Sequence, residues 1–302
     1  MRIRPVLQIA FGAVFLMPLT EVPGIADGPP YKITRNVVER CINVMDYRYR
    51  TGTTKLEFRP TALLPDAHGN IEVKDRHGRT EIDIKLEDLT PGSVLGPEYL
   101  TYVLWAVTED GRTINLSEVV PDQNNKFELV IAADVLPSFG LIMTAEPYFA
   151  VTQPSNFVAA EIDSMPGEAC FIRRNTVIYT LLERGQYYAN VPALEVTTIY
   201  SDKIEPLDLS EARNALRIAW WSNAAIYAPA SYAEAKNLLH EAEVSVNKFS
   251  EATAITAQEA VQAAEIATSK AIRCQVVIPE ILTDCDCPCP TPHNLSPDQV
   301  TR

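Results

Sequence analysis

Three cysteines spaced by single residues, Cys285, Cys287 and Cys289, are followed four positions later by His293. Thiolate and imidazole are the donors that zinc and copper(I) favour. The C-x-C-x-C spacing differs from zinc ribbons and knuckles, where two residues usually separate paired cysteines. In an oxidising compartment the default fate of such cysteines is disulfide formation, and Cys274 stands nearest the tail. Cys274, Cys285, Cys287 and Cys289 are therefore read as disulfide candidates. Metal ligation by Cys285, Cys287, Cys289 and His293 is the alternative. The chain has six cysteines, and sequence alone does not choose their pairing.

His68 and His77 each sit beside glycine, two residues after Asp66 and Asp75, and a sheet edge bringing them together would offer a second metal site. Two solvated turn histidines are the plainer reading. Serine-hydrolase elbows, zinc-protease helices, phosphate-binding loops and dinucleotide fingerprints do not occur in the sequence. The expectation is a protein without catalytic residues or a resident cofactor. Trp105, Trp220 and Trp221 read mainly as packing residues. Adjacent tryptophans on a helix point about 100° apart, so one of the pair 220/221 should face outward and hint at a docking surface.

The elements that would position these groups change period along the chain. From about residue 31 to 163, apolar residues alternate with polar ones, as in Lys55-Leu56-Glu57-Phe58-Arg59 and Glu81-Ile82-Asp83-Ile84-Lys85-Leu86. That is the pattern of half-buried antiparallel strands. Residues 99–108 read as a central strand, turned at Glu109-Asp110-Gly111 into the next. Short strands with regular turns predict a β-sandwich over residues 27–165. Residues 166–207 form a connecting hairpin or linker, whose stretches 176–182 and 194–200 either complete the sandwich or stand apart from it. Over residues 208–275 the period becomes helical: Ala257, Ala260, Ala264, Ala267 and Ala271 mark one heptad stripe, and Tyr232, Ala235, Leu239, Ala242 and Val246 another. Ser210 and Ser250 suit helix N-caps, Glu211 and Glu251 the first turns, and Pro229 a helix start. The expected architecture is α+β, a β-sandwich followed by an antiparallel helical hairpin or three-helix bundle. Residues 276–302 form a Cys/Pro-rich disordered tail.

Residues 1–26 place Arg2 and Arg4 before an apolar run and end in Gly24-Ile25-Ala26, the order of a secretory signal peptide. The run falls short of the ~20 residues needed to span a bilayer, and no membrane-spanning segment is expected after signal removal. A net charge of −13 argues against nucleic-acid partners.

Several blocks resemble OmpA-family envelope proteins of acidobacterial type. Residues 99–120, residues 141–154 with Thr144-Ala145-Glu146-Pro147-Tyr148, and Glu205-Pro206-Leu207-Asp208-Leu209 leading into Glu211-Ala212-Arg213-Asn214-Ala215-Leu216 are similar to their N-terminal β region. Residues 227–232 and the alanine-rich helices to about 272 are similar to their helical repeat. The chain departs from that family in ending with the cysteine-proline tail where members continue into a peptidoglycan-binding domain. The resemblance implies a non-enzymatic, periplasmic or outer-membrane-associated protein. Alanine-rich seams bury little apolar area, so an envelope protein partner is expected to cover the helices, and an oligomer is compatible with them.

Overall fold

The computed structural model describes residues 37–47, 52–76, 79–96, 99–132, 137–164, 174–183, 206–245 and 250–275. The expected signal segment, the stretch 194–200 and the cysteine-proline tail lie outside the described residues.

Ten antiparallel strands are described: β1 (Val37–Asp46), β2 (Thr53–Pro60), β3 (His68–Arg76), β4 (Arg79–Glu87), β5 (Thr101–Thr108), β6 (Thr113–Val119), β7 (Phe127–Ala132), β8 (Ser138–Glu146), β9 (Val158–Ser164) and β10 (Arg174–Leu182). They make one sheet rather than the two of a sandwich. The hub is β8. One edge pairs with β5 along its whole length, and the other pairs first with β1 at Ser138 and Phe139, then with β9 from Leu141 to Thr144. From this hub the ladder runs outward through β9, β2, β3 and β4 to β7, and through β5 to β6. The sheet curls until β7 stands beside β6, giving a nearly closed barrel. Period-two alternation says only that one face is buried; curvature, and not a second sheet, covers it here.

The interior is filled by that face. Leu56 and Phe58, Ile71 and Val73, Ile82, Ile84 and Leu86, Tyr102 and Leu104, Phe139, Leu141 and Met143, with Ala160 and Ile162, form one apolar cluster. Tyr102 directs its hydroxyl to the carbonyl of Thr90 at 2.8 Å, so the ring is buried while its polar end is satisfied. Strands β5 and β8 are buried on both faces, which explains their nearly continuous apolar sequence.

The second face of β5 and β8, with β10, carries the helices α1 (Leu207–Trp221), α2 (Ala224–Tyr227), α3 (Pro229–Val244) and α4 (Glu251–Gln275). Val103, Trp105, Val107, Ile142, Tyr179 and Leu181 share a single core with Leu209, Ala212, Ile218, Ala235, Ala260, Ala264 and Ala267. The helices are thus a layer on the barrel and not a bundle following a sandwich, and the expected architecture is corrected on both counts. Stretch 176–182 belongs to the sheet, since β10 pairs with β1 from Val37↔Leu182 to Met45↔Arg174. The β5–β6 turn presses against this ribbon: Gly111 has φ 76°, and a Cβ there would lie 2.2 Å from the Ile178 carbonyl oxygen.

Within the helical layer, the α4 stripe at 257, 260, 264, 267 and 271 is buried throughout, and Pro229 opens α3. Ser250 caps α4, its Oγ accepting the N–H of Thr253 at 3.4 Å. The helix with an expected N-cap at Ser210 is broken before Pro229. Asn223 adopts a left-handed conformation (φ 61°), ending α1 at Trp221 and starting the single turn α2. Helix α1 starts at Leu207 after Pro206, so Ser210 lies inside it rather than at its cap.

Candidate functional site

The most unusual chemistry lies between barrel and helices, and a β-bulge creates it. Opposite β5, Leu104 pairs with Ser117 but Trp105 pairs with Asn115, leaving Leu116 as an extra residue in β6. Residues three apart on a regular strand point to opposite faces; the inserted residue brings Asn115 and Glu118 to the same one. Both sit opposite residues of the helix-facing core, Trp105 and Val103.

From there Glu118 faces Glu211 of α1, closely enough for each carboxyl to act on the titration of the other. Glu211 is 1% exposed. The backbone N–H of Phe149 acts against the upward shift of Glu211, and the Thr101 hydroxyl acts against that of Glu118. Burial pushes the Glu211 carboxyl well above its ordinary range, and the neighbouring Glu118 adds to the shift. Burial raises Glu118 too. Asp208, one turn earlier on α1, adds further negative charge and is itself held by Gln258 Nε2 of α4 at 2.8 Å. The Oε1 atoms of Glu118 and Glu211 are buried without a hydrogen-bond partner. Neighbouring carboxyls sheltered from water disfavour a second ionisation, because like charges there repel strongly.

The same seam fixes the connection from β8 to β9, residues 147–157. Asn115 Nδ2 donates to the carbonyls of Phe149 (2.7 Å) and Val151 (3.0 Å), and Asn214 Nδ2 of α1 to that of Pro147 (2.9 Å). Glu265 of α4 accepts the Tyr148 hydroxyl at 2.6 Å, the Thr152 hydroxyl at 2.6 Å and the Thr152 N–H at 3.2 Å. On the sheet side Trp105 Nε1 donates to Thr144 (2.8 Å), whose hydroxyl donates to Glu146, and Glu146 accepts the Ser155 N–H at 2.8 Å. A buried connection must find partners for its backbone polar groups, and here β6, α1 and α4 each supply one.

At the far end of α1 the surface is apolar. Trp220 is 54% and Ile226 70% exposed, with Tyr227 beside them. Trp221 turns inward onto the shared core, as the 100° offset requires, while the Trp220 ring lies 6.1 Å from that of Tyr232. The left-handed bend at Asn223 makes this corner by turning the chain back.

The residues singled out from the sequence fare unevenly. Cys285, Cys287, Cys289, His293 and His77 lie outside the described residues, as does the side chain of Cys274 in the last turn of α4. His68 is exposed at the start of β3, with Glu87 at 3.7 Å and Asp88 at 3.6 Å. Strand β3 runs from His68 to Arg76, the residue before His77. At ~3.3 Å per residue those strand ends stand about 26 Å apart. Among the described residues no group of three or more His, Cys, Asp or Glu side chains is arranged to hold a metal ion. Cys41 in β1 is disulfide-bonded, and no sequence feature distinguished it.

The carboxyl pair was also missed. Glu211 reads from sequence as a first-turn acid; in the structure it lies on the buried face of α1. Glu265 was missed as well, although its place beside Ala264 and one turn after Val261 on the buried stripe of α4 is a signal that could have found it. Among the described residues no helix is long and apolar enough to cross a membrane. No family model and no curated protein matches the chain.

Proposed function

We propose that this is an exported, non-catalytic protein of the cell envelope that docks a protein partner on the corner of its helical layer. The observation that carries the reading is the grouping of Trp220, Ile226 and Tyr227 on the surface where α1 turns into α2. Aromatic residues clustered in the open are the usual anchors of protein interfaces. With a chain of net charge −13, the complementary surface is an apolar patch ringed by lysine and arginine.

Three further features support export and a structural role. The Cys41 disulfide suits an oxidising compartment, as does the signal-like segment at residues 1–26. Glu146 and Glu265 are engaged with the protein's own loop, the use of a buried carboxylate as a structural clamp. The blocks that resemble OmpA-family envelope proteins fall on β5–β6, on β8 with its following connection, and on α1, and these three segments meet at one seam.

A photo-crosslinking residue placed at position 220 in intact cells tests the reading. One partner should be captured from position 220 and not from position 85 on the opposite, outer face of the barrel. Sequencing of the mature N-terminus from the envelope fraction should begin near Asp27. The reading fails if neither position captures a partner and native mass spectrometry instead finds a stoichiometric metal or small ligand on the full chain.

A further inference from the structure

We propose that Glu118 and Glu211 form a proton-operated latch, in which one shared proton holds α1 against β6 and its release at rising pH loosens the helical layer while the barrel stays closed. Helix α1 reaches the barrel through a short set of polar contacts, and the carboxyl pair is the only one among those described here whose strength depends on a proton. Asn214 to Pro147 does not titrate. Around the latch, β6 presents Glu118, β5 the Thr101 hydroxyl, α1 Asp208 and Glu211, α4 the neutral Gln258, and the β8–β9 connection the Phe149 N–H. None of these is a cation. Arg213, two residues along α1, is committed to Glu243 of α3 at 2.7 Å. A second ionisation is thus met by Asp208 and a buried apolar wall, with no positive charge to balance it.

Glu211 is buried, and one carboxyl oxygen of each residue is buried without a hydrogen-bond partner, so solvation in place gives little relief to the ionisation of Glu211. The bulge at Leu116 indicates how the contact arises: without the extra residue, Glu118 would point to the other face of the sheet. Both groups titrate above the ordinary glutamate value of 4.5, so the folded state holds the proton more tightly than the unfolded chain. The stabilisation is complete below that value and is lost as pH rises through the raised folded range. The barrel interior, wholly apolar at its centre, has no matching dependence. The inference concerns how α1 is attached and stands whichever partner the corner takes.

Hydrogen exchange on the full chain at pH 5 and pH 8, corrected for intrinsic rates, reads this directly. In the unaltered protein, protection of the α1 amides should fall by about tenfold or more between the two conditions, the factor equal to one unit of pKa difference. Protection in β2, β3 and β4 should stay level. In Glu211→Gln, whose amide donates to Glu118 without needing a proton, the α1 difference should disappear; Glu118→Gln should do the same and covers the case in which the first variant fails to fold. The proposal is overturned if α1 protection is the same at both pH values, if it changes together with β2–β4, or if both glutamine variants retain the full difference.

Discussion

The two faces of β5 and β8 are packed by different means. On the barrel side, Tyr102, Leu104, Phe139, Leu141 and Met143 interlock with the strands that curl over them, and the filling is large and apolar. On the helix side, Val103, Trp105 and Ile142 meet alanines: Ala212, Ala215 and Ala219 from α1, and Ala257, Ala260, Ala264 and Ala267 from α4. An alanine buries one methyl where leucine buries four carbons, and each buried CH₂ contributes about 0.8 kcal/mol. The helical layer therefore gains less from apolar burial per residue, and buried polar contacts set its position. Glu211, Asn214, Glu265 and Thr268 are all buried there. The barrel should be the stable part and the helical layer the adjustable one.

Removing a large side chain from the barrel should break this contrast most forcefully. Phe139 is fully buried, and its ring lies 4.6 Å from that of Tyr47. Phe139→Ala should cost about 3–5 kcal/mol, read as a lowered midpoint in urea with the barrel and helix signals lost together. If the helices unfold at unchanged urea while the barrel alone weakens, the two layers do not share a core.

Next in size is the clamp on α4. Glu265→Ala leaves the buried Tyr148 hydroxyl and the Thr152 N–H without their acceptor, at a cost of about 2 kcal/mol. The loss should appear as faster exchange in α4 and in residues 147–155, with β2–β4 unaffected. Equal loosening of the barrel strands would show that the polar seam supports the whole molecule and not one layer.

A smaller effect should follow from enlarging the seam. Ala264 is fully buried on the stripe of α4, and Ala264→Leu should destabilise by about 1–3 kcal/mol because the added carbons must find room in a packed core. Thermal unfolding measures it. A stabilised variant would mean that the seam has unfilled space and that alanine there is not a packing requirement.

How much of this was legible follows from which signals are local. Alternation marked strands such as β2, β3 and β4, which have one face against apolar neighbours, and the continuous apolar run of β5 marked a strand buried on both faces. Alternation did not report β1 and β9. In Glu39-Arg40-Cys41-Ile42-Asn43 the polar residues interrupt the pattern, since β1 lies partly outside the barrel on a ribbon with β10. Sandwich and barrel share the same alternation, and the difference lies in β8 pairing with three strands, a long-range fact no window contains. The α4 stripe was read correctly because helical period is local too. The carboxyl pair was invisible because it depends on one bulged residue, Leu116, and on a helix that begins at Leu207 instead of Ser210.

The smallest effect sharpens the contrast by comparing one residue type in two places. Glu87 on the outer face of the barrel hydrogen-bonds to Lys126 at 2.8 Å, and that contact holds its carboxyl below the ordinary value, the opposite of Glu211. Its contribution is therefore present above the unfolded glutamate range and lost as pH falls, whereas that of the latch is lost as pH rises. Glu87 and Lys126 are both solvated at the surface, so this ion pair should matter little to folding. Lys126→Ala should leave the melting temperature unchanged within error, while the Glu87 titration followed by NMR moves up into the usual carboxylate range. If the melting temperature drops clearly, the outer face of the barrel depends on its charges, and the division between an apolar barrel and a polar seam no longer holds.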